Sequence, residues 1–322
     1  MPLDKFKAFT LVELLVVIAI IGLLSTIVLV ATSGLREQAE IAKTLQWAKS
    51  IDSLLGADAV GIWNMDENPA TQGTTIKDMS GWGNNGTLNT GETGVNKSVA
   101  GVMGQAISFD GVDDYINCGF GQSLKPNNKL SISVWVKMET PSTSRQPSIL
   151  GNSYYTAGAV SGYRLMIVPN GTWNGASYWS GYWSDINSYY MGLCLYRGVA
   201  QGDVAWSGQV GYTVSASNME NKWNHIVAVF DRPVMKIYLN GREVGSGTYD
   251  YDIFYHQYST YIGADSWNIT SEEFSGLIDE VRIYNTALTA SQIQSQYYVS
   301  LNGLLAKGLM NETEYNERLT IR

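Results

Sequence analysis

Residues 130–137, Leu-Ser-Ile-Ser-Val-Trp-Val-Lys, put Leu130, Ile132, Val134 and Val136 at alternate positions. A period of two marks a half-buried β-strand, because successive side chains leave a strand on opposite faces. Similar short runs of β-branched and aromatic residues occupy 164–168, 225–230, 235–239 and 277–284, each bounded by Gly, Asn, Asp or Pro. Asn240-Gly241 marks a tight hairpin after the run that ends at Leu239. Many short strands with turn signals and no helical period between them predict an all-β sandwich or barrel over residues 59–298.

The first 58 residues have a different grammar. Residues 9–22, FTLVELLVVIAIIG, follow a short leader carrying Lys5 and Lys7, and the aliphatic run continues to Ala31 with relief only at Gly22, Ser25 and Thr26. That is long enough to cross a bilayer as a helix. The basic leader predicts a cytoplasmic N-terminus, with everything after Gly34 outside. From Leu35 to Leu55 apolar residues recur at Ile41, Leu45, Ala48 and Ile51, with charges at Arg36, Glu37, Glu40, Lys43 and Lys49 between them. This spacing continues the helix in amphipathic form. Phe9 to Leu55 would then be one rod about 70 Å long at ~1.5 Å per residue, with Gly56 as its stop.

Glu13 lies inside the apolar run, where an ionised carboxylate costs about 2.5–3.5 kcal/mol and needs a partner. The plainer readings of such an N-terminus are an uncleaved signal anchor or a secretory signal cut near Ala31, Thr32 and Ser33. Against both, the stretch closely resembles the N-terminus of type IV prepilins and pseudopilins, in which a leader peptidase cuts before the apolar run. The resemblance implies that Ala8, where the family usually has Gly, ends the leader, and that Phe9 begins the mature chain with a methylated α-amine. It also implies that Glu13 neutralises the amine of a neighbouring subunit, so that a buried carboxylate is paired.

A second resemblance covers about residues 61–298. GIWNMDEN (61–68), DMSGWGNNGTL (78–88), AISFDGVDDYI (106–116), LSISVWVK, KWNHIVAVFD (222–231), KIYLNGREV (236–244), YIGA (261–264) and FSGLIDEVRIYNTALTASQI (274–293) stand in this order. The series is similar to a laminin-G-like, concanavalin A-like jelly roll, which implies two stacked antiparallel sheets with the first and last strands adjacent. Thr289-Ala-Ser-Gln292 is a capping box that opens a helix after the last strand, and Asn311 with Glu314 repeats the device. Residues 288–320 are therefore expected as two or three short helices, part of them resembling a small helical appendage of bacterial C-termini.

Chemistry is sparse. With 21 basic and 29 acidic residues the net charge is −8, and loss of two Lys and one Asp with residues 1–8 makes it −9. No basic face is visible, which argues against nucleic acid as a partner. Jelly rolls of this class include glycoside hydrolases, which present two carboxylates across a cleft. No E-x-D-x-x-E run occurs, and Asp279-Glu280 as adjacent strand residues would face opposite ways. The two histidines, His225 and His256, have no nucleophilic constellation around them, and His225 and Trp223 read as core. The chain is read as a non-enzyme.

Members of this jelly-roll group often hold Ca²⁺, and pairing of the first and last strands would bring Asp66 or Glu67 toward Asp279 or Glu280; Asp110, Asp113 and Asp114 form a second acidic group. Cys118 and Cys194 are the only cysteines and would be free to pair if the head is outside the membrane. Residues 154–212 exceed what the fold needs and are dense in aromatics. Trp173, Tyr178, Trp179, Tyr182 and Trp183 are the expected saccharide-stacking candidates there.

The predicted organisation is a leader (1–8), an N-terminal transmembrane and assembly helix (9–56), a mainly β laminin-G-like jelly-roll head (57–298) and a helical tail (299–322). The function it implies is a pilin-like surface protein that assembles through its helix and displays the head for adhesion or glycan binding. Its expected partners are the membrane, other pilin-like subunits, a prepilin peptidase and an extracellular glycan or protein, and its place is the cytoplasmic membrane with the head outside, or the pilus. A minor pseudopilin of a secretion or uptake machine and a tethered lectin-like protein are the alternatives.

Overall fold

A computed structural model describes residues 11–22, 46, 50, 55–139, 147–156, 159–169, 188–200, 207–266 and 273–320. The chain divides into two compact units, Met1–Trp47 and Ala48–Arg322. In the first, residues 11–22 form helix α1, which contains Glu13. Its aliphatic side chains from Leu11 to Ile21 are 42–79 % exposed, a continuous apolar surface of the kind that membranes or partner helices cover. Among the described residues no helix is long and apolar enough to cross a membrane. Ala8, Phe9 and the predicted span beyond Gly22 lie outside the described residues.

The second unit carries seventeen described strands. In chain order these begin with β1 (Ala59–Trp63), β2 (Thr75–Ile76), β3 (Gly86–Asn89), β4 (Ser98–Ala100), β5 (Gln105–Asp110) and β6 (Tyr115–Asn117). Next come β7 (Lys129–Met138), β8 (Ser148–Gly151), β9 (Tyr154–Thr156), β10 (Ala159–Pro169), β11 (Ser188–Ala200) and β12 (Ser207–Ser215). After the one-turn helix α2 (Ala216–Met219) follow β13 (Trp223–Asp231), β14 (Val234–Leu239), β15 (Arg242–Thr248), β16 (Tyr261–Ile262) and β17 (Ser275–Tyr284).

One sheet runs β15-β14-β13-β7-β17-β5-β4, with β1 also on β17; the other runs β12-β11-β10-β8-β16-β6-β3-β2, with β9 on β10. The strand pairs are antiparallel, and the first strand lies against the last, Trp63 opposite Val281. The sandwich is thus as expected, and its elaborated region 154–212 contributes β9 to β12 at one end of the second sheet.

The alternation at 130–137 sorts β7 into two kinds of burial. Leu130, Ile132, Val134 and Val136 enter the core between the sheets, together with Leu165, Leu193, Ile226, Ile237 and Ile278. The other face, Ser131, Ser133 and Trp135, is buried too, under helix α3 (Ala290–Ala306) and α4 (Glu312–Thr320). Trp135 stacks on His225 and Tyr297 with ring centroids 5.1 and 5.7 Å away, and Trp223, Leu301, Leu304, Met310 and Tyr315 close the same cluster. The Thr289 to Gln292 capping box starts α3, and Glu314 N donates to Asn311 Oδ1 at the start of α4. Arg318 donates to the Trp223 carbonyl at 2.7 Å. The tail is a third layer of the head, because Trp135 of β7 and Trp223 of β13 present large apolar side chains on this face, while Ser133 Oγ donates to Gln296 of α3 at 3.2 Å.

Asp279 and Glu280 do not continue a regular strand. One edge of β17 pairs with β5 through residues 275–278 and with β1 through 281–284, and the register shifts between Asp279 and Arg282. Glu280 takes φ of 50°, a left-handed conformation that non-glycine residues rarely adopt.

Candidate ligand-binding site

Three segments at one end of the sandwich build a groove. The first is the turn 78–85, folded around Asp78. Its Oδ1 accepts from Ile62 N and Ser80 N at 3.0 and 2.9 Å, and its Oδ2 accepts from Asn84 N at 2.8 Å. Gly81 and Gly83 supply the positive φ values, 86° and 75°, that let the chain curl around the carboxylate. Asn84 is locked from behind, with Nδ2 donating to Val60 O and Ser123 Oγ and its own carbonyl accepting from Trp63 Nε1. The turn leaves Met79 and Trp82 about three-fifths exposed.

The second segment, 118–122, follows β6 and carries Phe120 between two glycines, 61 % exposed. The third, 253–257, is tied to residues 125–127. Ile253 N donates to Asn127 O, Tyr255 OH to Pro126 O and Lys125 Nζ to His256 O, at 2.9, 2.7 and 3.0 Å. Phe254 stands edge-on to His256 with centroids 5.1 Å apart.

The space between them is about 1110 Å³, at the upper end of the roughly 300–1,000 Å³ typical of small-molecule sites. The exposed rings of Phe120 and Phe254 line it, with amides from Asn84, Asn85, Gln122, Asn127 and Gln257 and the cationic side chain of Lys125. Among the described residues no Asp or Glu lines it. Apolar faces beside the amides of Asn85, Gln122, Asn127 and Gln257, a group type that both donates and accepts, suit a ligand with alternating C–H faces and hydroxyls. The sequence carried a signal for this: a phenylalanine between Gly119 and Gly121 has no neighbouring side chains to cover it.

The residues singled out from sequence fare differently. Trp173, Tyr178, Trp179, Tyr182 and Trp183 lie outside the described residues. Of the four carboxylates expected to converge on Ca²⁺, Asp66 and Glu280 line one cavity of about 330 Å³, but the donor set does not form a cage. Asp66 Oδ1 accepts from Gln105 N and Glu67 Oε1 from Lys77 N. Asp279 accepts from the amides of Val102, Met103 and Glu280, and Glu280 pairs with Arg282 at 2.7 Å. Backbone amides and a guanidinium thus serve one oxygen or more of each carboxylate, while Glu67 Oε2 is buried with no hydrogen-bond partner among the described residues, and the four do not gather as one group of oxygens. The same arrangement leaves this pair unsuited to glycoside hydrolysis, since Asp279 is fixed by three donors.

Asp110, Asp113 and Asp114 each offer an oxygen within 4.8 Å of the others. The Lys97 ammonium sits among them, 2.8 Å from Asp114, 3.3 Å from Asp110 and 3.7 Å from Glu92. Burial pushes the Asp114 carboxyl up to about 6 even against that ammonium.

The cysteines do not pair: both are free and buried. Cys118 is in the core between the sheets. Cys194 sits between Leu193 and Leu195, which enter that core, so the strand period turns it to the opposite face, against Val160, Met166 and Tyr196. His225 is structural, hydrogen-bonded to Ser133 Oγ at 2.8 Å and held down to about 3 by burial and by Arg282. It stays neutral and has no acid–base role near neutral pH.

The comparisons concern the fold and the N-terminus. Residues 3–29 match the prokaryotic N-terminal methylation motif, and residues 110–294, more than half of the chain, match the concanavalin A-like lectin/glucanases superfamily. No curated protein matches. Among solved structures, the chain is similar to the binding domain of Paraclostridial Mosquitocidal Protein 1 (TM-score 0.52, 15 % identity, 77 % of this chain and 53 % of that one). It is equally similar to the receptor binding domain of botulinum neurotoxin mosaic serotype C/D (TM-score 0.52, 16 % identity, 77 % and 52 %). The chain spans about half the length of these two, and at such identity the likeness is one of fold. Domain 4 of AbnA, a GH43 extracellular arabinanase from Geobacillus stearothermophilus solved with arabinotriose, matches at 25 % identity and TM-score 0.47 over 74 % of this chain and 97 % of its own. With a head built as two antiparallel sheets and matched over its larger part, the chain belongs to the concanavalin A-like lectin/glucanases superfamily.

Proposed function

We propose that this is a pilin-like, membrane-anchored surface protein whose head binds glycans without cleaving them. The observation that carries the binding half is the groove: two exposed phenylalanine rings flanked by side-chain amides in a space large enough for more than one sugar ring. The anchoring half rests on the methylation motif at 3–29 and on the exposed aliphatic surface of α1. On this reading a prepilin peptidase removes residues 1–8, Phe9 becomes the methylated N-terminus, and Glu13 pairs with the amine of a neighbouring subunit. The head then stands outside the cytoplasmic membrane or along a pilus, where adhesion follows from saccharide contact.

The aromatic segment with Trp173, Tyr178, Trp179, Tyr182 and Trp183 is proposed as a second contact. A glycan array probed with the full-length protein in non-ionic detergent tests the binding reading. Binding of a saccharide family that disappears in the double variant Phe120→Ala/Phe254→Ala supports the groove. Binding that survives there and is lost in Trp179→Ala/Trp183→Ala moves the site to the aromatic segment, and an array with no signal refutes glycan binding.

A further inference from the structure

Among the described residues no Asp or Glu lines the groove, in a chain with 29 acidic residues, while Lys125 does. The acids nearest in sequence are occupied elsewhere, Asp114 by Lys97 at 2.8 Å. Asp78 is consumed by three backbone amides behind the wall. Asp252, which precedes the lining residue Ile253, pairs with Arg232 at 3.0 Å, as does Asp250.

Lys125 is half-buried and forms no ion pair among the described residues. Its ammonium has three N–H donors, and one of them goes to the His256 carbonyl at 3.0 Å, which leaves two. Burial already weighs against its charged form, lowering its affinity for the proton. A half-buried cation with spare donors and no counter-ion among the described residues is suited to an anion from outside.

We infer that the groove selects acidic saccharides, the ammonium of Lys125 receiving a sugar carboxylate while Phe120 and Phe254 hold the ring faces. This deepens the glycan-binding reading and rests on it. The amides then read hydroxyls, and the lack of acidic residues in the lining removes the repulsion that an acidic chain would otherwise present. Neutral saccharides would fill the same space but leave Lys125 unpaired.

The test uses full-length protein in non-ionic detergent and two matched pairs of polysaccharides: polygalacturonate and hyaluronan, each with its carboxyl-reduced, uncharged form. The expected result is that at least one acidic form binds about tenfold or more tightly than its reduced form, the scale of one charge-assisted hydrogen bond. That advantage should shrink as salt rises from about 0.05 to 0.5 M. Lys125→Gln should erase the advantage with the melting temperature unchanged, and Lys125→Arg should keep most of it. Equal binding of charged and reduced forms overturns the selection for acid and leaves the saccharide reading standing. Binding to neither member of both pairs overturns the acidic-saccharide inference, while signal from neutral glycans on the array still supports the broader reading. A salt-sensitive preference that persists in Lys125→Gln removes Lys125 from the role.

Discussion

Phe120→Ala separates binding from folding, because Phe120 keeps 61 % of its surface exposed. A phenylalanine presents about 200 Å² of surface, so roughly 120 Å² of it is open here. A sugar face covering about half of that removes roughly 60 Å² from water, which at ~25 cal/mol/Å² is about 1.5 kcal/mol. Truncation should therefore raise Kd by about tenfold. Stability should hardly change, within about 0.5 kcal/mol, since the side chain contributes little to the core. Isothermal titration with the saccharide selected on the array, beside thermal melts of both proteins, measures the two effects together. An unchanged Kd at an unchanged melting temperature would refute the role of the ring. A fall of several degrees with the weaker Kd would show that Phe120 acts through the fold instead.

Three further outcomes are expected. Leu301→Ala, fully buried between α3 and the outer face of the first sheet, should cost about 2–5 kcal/mol and lower the melting temperature by at least ~5 °C, whereas Leu309→Ala, 38 % exposed, should cost under ~1 kcal/mol; equal small effects would return the tail to the status of an appendage. Glu13→Ala should leave membrane insertion intact, or ease it by about 2.5–3.5 kcal/mol, while preventing incorporation into fibres, so normal fibres in electron micrographs would end the pairing argument. The third concerns pH. His225, held down to about 3, contributes stability that is lost as pH falls through the ordinary histidine range, because only the unfolded chain takes up the proton. Asp114 and Asp265, pushed up to about 6 by burial, act oppositely: their folded forms take up protons first, so acidification from about 6 toward the ordinary carboxylate range favours folding. Two such carboxyls outweigh one histidine over this window, and Asp279, pushed up by burial and by Glu280, adds to them, so the wild-type melting temperature should rise as pH falls from 6.5 to 4 and that of His225→Gln should rise more steeply; parallel profiles would contradict the assignment.

The sandwich was legible because strand period is a local property. Residues 130–137 display it openly, and the resemblance implies that the first and last strands are adjacent, which the structure shows with Trp63 opposite Val281. The tail was legible as helices through Thr289 and Gln292, yet its role was not. That role depends on Trp135, Trp223 and His225 facing outward together, and only the register of β7 against β13, His225 opposite Trp135, reveals it. Asp279 and Glu280 read as adjacent strand residues that face apart; what the sequence does not display is that β17 changes partner from β5 to β1 at this place, with Asp279 taking backbone amides and Glu280 taking Arg282. Cys118 and Cys194 could not be sorted by spacing, since what separates them is the face of a sheet that each one occupies. The groove was missed because its walls come from 78–85, 118–122 and 253–257, segments far apart in the chain that each read as ordinary turns.

The most direct test of the central claim is a crystal structure of the protein with the saccharide selected on the array. Sugar rings against Phe120 and Phe254, with hydroxyls on the side-chain amides of Asn85, Gln122 or Asn127, are the predicted result. A saccharide seated on residues 171–187, or anywhere else with the groove left open, would contradict it.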